Sequence, residues 1–244
     1  MTAHGETLLR ADGISRHFGG NVAVSKLSFE IRSGEIVGLI GPNGAGKSTT
    51  FNVISGFLAP TTGRLSFLGR DITSSSATVI SRMGLVRTFQ HNSLLSDMSV
   101  YDNLLVAAMQ QLGSKTARDA RVRETASLTN LDDCLHDLAG SLPHGRQRML
   151  SIAIAMTTRP RLLCLDEPLT GLQGQEVARA LALFEQLRSE QGVTILLVEH
   201  NMRAVMRVCD RILVLDHGEL LAEGTPAEVS ANQAVIDAYL GAPK

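Results

Sequence analysis

The sequence predicts an α/β fold in which helices cover a parallel sheet. Four short runs are apolar almost throughout, which is typical of strands buried on both faces of such a sheet; they are residues 36–40, 162–165, 194–198 and 212–215. A glycine-rich loop follows the first run, and a helical pattern follows that loop at 47–55. This strand–loop–helix order is characteristic of α/β proteins.

A second, smaller sheet is predicted nearer the N-terminus. Leu27, Phe29 and Ile31 alternate with polar residues, and this period of two indicates a half-buried strand. Another short strand is expected at 65–68, after a turn at Gly63. We therefore expect a small antiparallel β subdomain beside the parallel core.

Helical patterns replace the strand patterns between about Ser99 and Ala155. We predict a helical subdomain at about 97–155, inserted in the α/β core between a strand at 84–89 and the run that begins at Leu162. A chain of 244 residues has the length of one large domain. We expect residues 1–244 to form a single domain with this insert.

The composition argues against nucleic acid as the main partner. The chain has 23 Lys and Arg against 24 Asp and Glu, no Trp and only 4% aromatic residues, so it lacks both a basic field and stacking rings for bases. Its three cysteines are Cys134, Cys164 and Cys209, and their wide spacing favours a reducing compartment. Because the apolar runs are too short to span a bilayer, we expect any membrane role to be peripheral.

The loop at 41–48 reads Gly-Pro-Asn-Gly-Ala-Gly-Lys-Ser and fits the P-loop pattern. In such loops, backbone N–H groups surround phosphate oxygens and the next helix directs its positive end at them. Lys47 is expected to meet the β- and γ-phosphates, and Ser48 to ligate Mg²⁺. A glycine-rich turn without a ligand is the alternative, and the flanking strand and helix favour nucleotide binding. The predicted contacts to ATP are Gly41, Pro42, Asn43, Gly44, Ala45, Gly46, Lys47, Ser48 and Thr49.

Two adjacent carboxylates, Asp166 and Glu167, end the apolar run at 162–165. Ligands of parallel sheets bind at this end of the strands. Asp166 is predicted to hold Mg²⁺ through its water ligands, and Glu167 to act as the general base that polarises the attacking water. A solvated strand end is the alternative interpretation.

Two more polar residues follow predicted strands. His200 comes after an apolar run, and although a lone His is more often structural, its position after the P-loop and the acidic pair predicts a γ-phosphate sensor. Gln90 ends the strand at 84–89 and is a candidate contact for Mg²⁺ and water. The predicted catalytic residues are Glu167, His200 and Gln90, and the predicted metal ligands are Ser48, Gln90 and Asp166.

Taken in order, these motifs resemble those of ABC-transporter ATPases. The P-loop, Gln90, the segment 142–147, the Asp166–Glu167 strand, the turn at 169–173 and His200 resemble the Walker A, Q-loop, signature, Walker B, D-loop and H-loop. The resemblance covers nearly the whole chain and implies the ABC ATPase fold and a paired ATPase, with each ATP between one subunit's P-loop and the other's signature. It also implies that Phe18 packs against adenine, whereas an ordinary core position is the alternative.

Within that family the chain is most similar to the LivG-type ATPases of branched-chain amino-acid importers. This similarity rests on residues 16–20, 86–90, 103–107, 199–202 and 235–241. It implies a peripheral subunit on the cytoplasmic face of the bacterial inner membrane, with two membrane-spanning permease subunits, a second ATPase and a periplasmic binding protein. A soluble ABC ATPase that acts as a clamp, or the ATPase of a lipid-type exporter, are the alternatives.

The signature segment departs from the family's usual Leu-Ser-Gly-Gly-Gln. Pro143, His144 and Arg146 replace the Ser, the first Gly and the Gln, so a hydroxyl ligand for the γ-phosphate is lost. The resemblance assigns the partner's ATP to Leu142, Gly145, Arg146 and Gln147. We expect a heterodimer with unequal sites, while a homodimer that relies on backbone donors is the alternative.

The segment 91–98 joins Gln90 to the predicted insert. We therefore expect Leu94, Leu95 and Met98 to lie near a membrane subunit, with packing inside this chain as the alternative.

Overall fold

The computed structural model describes residues 5–88 and 94–240, apart from the side chain of Leu240, and these residues form ten strands and nine α-helices. The strands are β1 (Thr7–Phe18), β2 (Asn21–Arg32), β3 (Ile36–Ile40), β4 (Thr62–Phe67), β5 (Arg70–Asp71), β6 (Leu85–Arg87), β7 (Leu162–Asp166), β8 (Thr194–Val198), β9 (Arg211–Asp216) and β10 (Glu219–Gly224). The helices are α1 (Lys47–Ile54), α2 (Ala77–Arg82), α3 (Val100–Met109), α4 (Lys115–Leu128), α5 (His144–Thr157), α6 (Gln175–Ser189), α7 (Met202–Val208), α8 (Pro226–Ala231) and α9 (Gln233–Leu240).

The larger sheet has the order β10-β9-β3-β8-β7-β6, and every pairing in it is parallel except that of β10 with β9. Every residue of β3, β7 and β8 is buried. Successive residues of β3 enter different hydrophobic clusters: Ile36 belongs to the cluster that contains Phe184 of α6, and Val37 to the one that contains Phe51 of α1. The sheet is therefore covered on both faces, and the predicted α/β fold is confirmed.

The smaller sheet is antiparallel and has the order β2-β1-β4-β5. The predicted strands at 27–31 and 65–68 fall in β2 and β4, except that Leu68 lies in the next turn with φ +53°. They do not pair with each other, because β1 lies between them. Sequence analysis missed β1, whose alternation is interrupted by register shifts near Gly13.

The chain between β6 and β7 contains α3, α4 and α5. These helices share a hydrophobic cluster that includes Val100, Val122 and Leu150, separate from the clusters on the two sheet faces. Strand β6 covers Leu85–Arg87, while Phe89, the last residue of the predicted strand, lies outside the described residues. Within the described ranges, no helix combines the length and apolar character needed to cross a membrane.

Parallel register brings three strand ends to one edge of the sheet. Leu39 of β3 and Asp166 of β7 both align with Val198 of β8. The loops that follow these strands carry the P-loop, the acidic pair and His200. All three predicted motifs therefore lie at the same edge.

Candidate nucleotide-binding site

The P-loop connects β3 to α1, and its last glycine is required by the backbone. Gly46 caps α1 with φ +96°, and a Cβ there would lie 2.5 Å from the carbonyl oxygen of Ala23. Lys47 Nζ donates hydrogen bonds to the carbonyl oxygens of Gly41 (2.7 Å) and Pro42 (2.9 Å). An ammonium group has three N–H donors, so two anchor Lys47 to the loop and one remains for a phosphate oxygen.

The P-loop lysine and Glu167 interact electrostatically. Burial lowers the pKa of Lys47, and the negative charge of Glu167 opposes this shift. Lys47 and Glu167, which are 120 positions apart in sequence, are therefore close enough in the fold to interact.

Glu167 has a left-handed backbone conformation, with φ +46°. This conformation costs a residue other than glycine about 1–3 kcal/mol, and such strain is typical of functional positions. The Glu167 N–H donates to the carbonyl of Val198 at 2.9 Å, which fixes the turn. His200 Nδ1 lies 4.0 Å from Glu167 Oε1, and Thr170 Oγ1 donates to Oε2 at 3.4 Å. The predicted base and the predicted phosphate sensor are thus neighbours.

Asp166 is buried and paired with an arginine that sequence analysis did not select. The Arg87 guanidinium donates to Asp166 Oδ2 at 2.7 Å, and the two side chains are only 10% and 7% exposed. Arg87 also donates to Asn52 Oδ1 and stacks on the Phe51 ring, 4.9 Å from its centroid. Arg87 ends an otherwise apolar strand, and a charge in such a position requires a buried partner. The sequence could therefore have indicated that Arg87 forms an ion pair.

Glu199 is a second residue that sequence analysis did not assign to the site. It is 1% exposed and accepts N–H hydrogen bonds from Leu169 (2.7 Å), His200 (3.2 Å) and Asn201 (3.4 Å). Burial raises the pKa of Glu199, and these three backbone donors oppose that shift. Its carboxylate joins the turn after Glu167 to the loop that carries His200. In the sequence, a carboxylate at the end of an apolar run was the feature that could have indicated this role.

The residues proposed for Mg²⁺ suit that ion. Mg²⁺ is commonly held by one or two carboxylates, waters and substrate phosphates rather than by a full set of protein ligands. Asp166 Oδ1 makes no hydrogen bond within the described part of the chain, and the Ser48 side chain at the start of α1 belongs to an exposed residue. Across residues 5–88 and 94–240, no cluster of three or more His, Cys, Asp or Glu side chains could hold a metal by itself. Gln90, the third predicted ligand, lies outside the described residues.

Phe18 is 46% exposed, so the alternative that it is a core residue is wrong. The Arg16 guanidinium lies over its ring, 4.8 Å from the centroid. This places an aromatic face and a cation together at the end of β1.

The signature segment forms the N-terminus of α5. Pro143 caps this helix, and the first helical hydrogen bond runs from the Gln147 N–H to the Pro143 carbonyl at 3.0 Å. The preceding N–H groups of α5 are therefore unpaired within the helix and form a positive end. A Cβ on Gly145 would lie 2.4 Å from Glu176 Oε1, so a larger residue here would displace the Glu176 side chain.

The side chains of the signature segment are engaged inside this chain. Arg146 forms a bidentate ion pair with Asp133, with N–O distances of 2.7 and 2.9 Å. Gln147 Nε2 donates to the Leu142 carbonyl at 3.0 Å, and Leu142 itself is buried. The Arg146 guanidinium would have to leave Asp133 to reach a phosphate.

A P-loop, a buried strand that ends in Asp-Glu, and a helical segment between β6 and β7 together define an ATP-binding cassette. Comparison with known families agrees. The model of the ABC transporter family matches residues 24–170, and a model described as "branched-chain amino acid ATP-binding cassette transporter" matches 219–244.

Full-length relatives extend this agreement. The chain is 43% identical to the high-affinity branched-chain amino acid transport ATP-binding protein LivG of Salmonella typhimurium, over 97% of this chain and 98% of that protein. It is 41% identical to BraF of Pseudomonas aeruginosa, a protein with the same description, over 96% and 98%. The crystal structure of the ADP conformation of MJ1267, an ATP-binding cassette of an ABC transporter, superposes with a TM-score of 0.88 at 29% identity, covering 97% of this chain and 99% of that one. The chain belongs to the ABC transporter family and is one of its ATPases.

The ion pair of Arg87 and Asp166 can be tested by a double-mutant cycle. Arg87→Met should lower the free energy of unfolding by about 3–5 kcal/mol, because Asp166 would stay buried without its cation. Combining Arg87→Met with Asp166→Asn should restore much of that loss, because the uncompensated charge is removed. Urea unfolding of the wild type, the two single variants and the double variant measures both effects. Additive losses would show that the two side chains are not coupled.

Proposed function

We propose that this chain is the ATP-hydrolysing subunit of an importer for branched-chain or related hydrophobic amino acids. It would act on the cytoplasmic face of the bacterial inner membrane, with two permease subunits and, indirectly, a periplasmic binding protein. Residues 1–244 would form one ATPase domain with a helical subdomain at about 97–155. The observation that carries the proposal is the convergence of Lys47, the Asp166–Glu167 pair and His200 at one sheet edge, in a chain similar to LivG. Neither a soluble clamp nor a lipid-type exporter is favoured by the family model at 219–244.

The P-loop residues 41–49 would hold the triphosphate through backbone N–H groups, with the third Lys47 donor on the β- and γ-phosphates. Phe18 would stack on adenine, and the guanidinium of Arg16 would add a cation to the same surface. Ser48, Asp166 and Gln90 would hold Mg²⁺, which when bound neutralises charge that develops on the phosphates.

Glu167 would accept a hydrogen bond from the attacking water and polarise it toward the γ-phosphate. Its backbone is fixed by the hydrogen bond to Val198, so its carboxylate is held in one direction. His200, 4.0 Å from that carboxylate, would contact the γ-phosphate. Glu199 would keep both turns in place from beneath.

If Glu167 is the general base, its substitution should affect ATP hydrolysis but not ATP binding. Glu167→Gln should retain ATP binding and lower single-turnover hydrolysis by roughly 10²–10⁴-fold, because the general base is lost. Lys47→Ala should instead weaken ATP binding, because a charge beside the phosphates is removed. Glu185→Gln, on the exposed side of α6, is the matched control and should change neither quantity. Undiminished hydrolysis by Glu167→Gln in the purified assembly would exclude it as the base.

Exposed apolar side chains indicate where a membrane subunit docks. A groove of about 530 Å³ lies between the end of α1, α2 and the C-terminal end of α3, with Phe57 among its lining residues. Phe57 is 51% exposed, and Val79 and Met109, on the bordering helices, are similarly exposed. We propose that an amphipathic cytoplasmic segment of the permease occupies this groove, with its apolar face on Phe57 and its polar face on lining residues such as Arg82 and Gln110.

The segment before α3, at the other end of that helix, offers a second candidate contact with the permease. Leu95 and Met98 are exposed, at 44% and 37%, whereas Leu94 packs against the hydrophobic cluster of α3–α5. Leu94 therefore packs inside this chain, and the proposed contact with the permease rests on Leu95 and Met98.

Cysteine crosslinking tests this surface. Leu95→Cys and Met98→Cys should crosslink to the permease, while Val22→Cys, equally exposed but on β2, should not. The three native cysteines are buried and free, so background reaction is expected to be low. Transport-competent assemblies in which neither position crosslinks would remove the proposal.

We further propose that the chain pairs with a second, different ATPase. In a homodimer both ATP molecules would meet Pro143, which offers no hydroxyl, and an Arg146 that is bound to Asp133. In a heterodimer, a partner with an unaltered signature would complete the site built on Lys47, Glu167 and His200. The N-terminus of α5 would still attract the phosphates of the partner's ATP, in a slower site.

Assemblies with a general-base substitution in one ATPase at a time test this asymmetry. Glu167→Gln should abolish most of the hydrolysis, while the equivalent change in the partner should have a smaller effect, because only the first site has an intact signature. The measurement is steady-state ATP hydrolysis by the reconstituted transporter. Equal losses from the two substitutions would contradict unequal sites.

A further inference from the structure

A groove of about 590 Å³ lies at the edge of the large sheet opposite the nucleotide-binding site. Ser33, Arg161 and Val193 line it, and these residues precede β3, β7 and β8, whereas the residues of the nucleotide-binding site follow the same strands. Its other wall is formed by α4 and the last turn of α5. The full length of the buried strands therefore separates this groove from the P-loop.

Positive charge exceeds negative charge in the groove. Three arginines line it, Arg121, Arg159 and Arg161, and Glu124 is the one acidic residue among its described lining residues. Arg159 Nη2 contacts both carboxylate oxygens of Glu124, at 3.0 and 3.1 Å, and Arg121 Nε lies 3.3 Å from Oε2. Because two guanidinium groups share one carboxylate and a third adds its own charge, the groove as a whole is positive.

Arg121 is the buried member of this set. Its side chain is only 10% exposed, and Nη1 donates to the Thr157 carbonyl at 2.9 Å, whereas Nη2 makes no hydrogen bond to the part of the chain that the structure describes. Burial lowers the pKa of Arg121, the positive charge of Arg159 lowers it further, and Glu124 opposes both effects. Since a guanidinium stays protonated in proteins, this shift reflects an electrostatic cost that a bound anion would reduce.

Arg161 presents its charge from a fixed backbone. Its N–H donates to the Gly84 carbonyl at 2.8 Å, and its carbonyl accepts from the Thr194 N–H at 3.1 Å. The side chain is exposed and makes no ion pair or hydrogen bond within residues 5–88 and 94–240. Its guanidinium is therefore available to a ligand in the groove.

Arg159 has a backbone conformation that glycine would adopt more readily. It follows the C-cap of α5 with φ +51°, at the left-handed position where helices usually place glycine. Such strain is typical of functional positions, and here it holds a guanidinium at the groove. Stability alone would favour glycine at this position, so the arginine side chain requires a further reason.

We propose that this groove binds a small molecule through a dianionic phosphate group. Guanidinium groups match phosphate oxygens in geometry and charge, and a phosphate group carries enough negative charge to balance the excess in the groove. Ser33 and Gln191 add neutral donors to the lining, while Leu128 and Met156 form an apolar wall. The phosphate belongs either to inorganic phosphate or to a phosphate ester, since both sources share this chemistry.

A bound phosphate would connect two parts of the fold. Arg121 lies on α4, which belongs to the hydrophobic cluster of α3–α5, whereas Arg161 leads directly into the buried strand β7. A ligand that binds the folded groove and not the unfolded chain stabilises the folded protein as its concentration rises above its Kd. Phosphate should therefore raise the midpoint of thermal unfolding.

Calorimetric titration of the full-length chain tests the site. Inorganic phosphate and glycerol 3-phosphate are the probes, and Lys47→Ala is the background, because the P-loop is a second place where phosphate can bind. Arg161→Gln should weaken binding of the tighter probe about 10-fold or more, the range for a hydrogen bond between charged groups. Arg123→Gln, on α4 but outside the groove lining and 66% exposed, is the matched control and should leave binding unchanged.

Arg159→Gly separates ligand binding from stability. Without phosphate, this variant should unfold about 2–4 °C higher than its background, because the strained backbone is relieved and the exposed pair with Glu124 contributes little. It should nevertheless bind the probe more weakly, because one guanidinium is lost. Unchanged affinity in both Arg159→Gly and Arg161→Gln, an equal loss in Arg123→Gln, or no binding of either probe would overturn the proposal. These outcomes do not depend on ATP hydrolysis.

Discussion

The parallel register of β3, β8 and β7 is the constraint on which the site depends. It aligns the ends of three strands that are far apart in sequence, so backbone pairing alone brings a P-loop, an acidic pair and a histidine to one edge. Complete burial of these strands fixes that register, because a slip of one residue would reverse which side chains face each layer. Helices cover the two faces of the sheet, and the position of the site is set by the residues at which these strands end.

The buried carboxylates near this edge of the sheet are stabilised by an ion pair or by backbone N–H donors. Asp166 has the Arg87 guanidinium, and Glu199 has three N–H groups. Both arrangements surround a buried carboxylate with hydrogen-bond donors, which offset the cost of taking that group out of water. They also tie the site to elements outside it: Arg87 reaches α1 through Asn52, and Glu199 reaches the turn that follows Glu167.

The sequence was sufficient to predict the parts of this structure that depend on local pattern. The apolar runs predicted β3, β7, β8 and β9, and the residues just after three of them predicted the site. Strand β1 was missed because bulges interrupt its alternation, and its place between β2 and β4 is a pairing choice that no local pattern specifies. Arg87 and Asp166 are 79 residues apart, and Glu199 and Leu169 are 30 apart. Each is recognisable as a charge in an apolar run, but the partner becomes evident only once the sheet is assembled.

The left-handed backbone of Glu167 has a consequence for how this protein can change over time. A glycine or asparagine would occupy that conformation with less strain, so selection for thermal robustness alone would remove the glutamate. Its retention sets a limit on stability that the rest of the fold must offset. An aspartate would not relieve this conflict, because the fixed backbone gives a shorter side chain no means of recovering the lost reach. Under the proposed role of Glu167 as the base, stability at higher temperature would have to come from elsewhere in the fold.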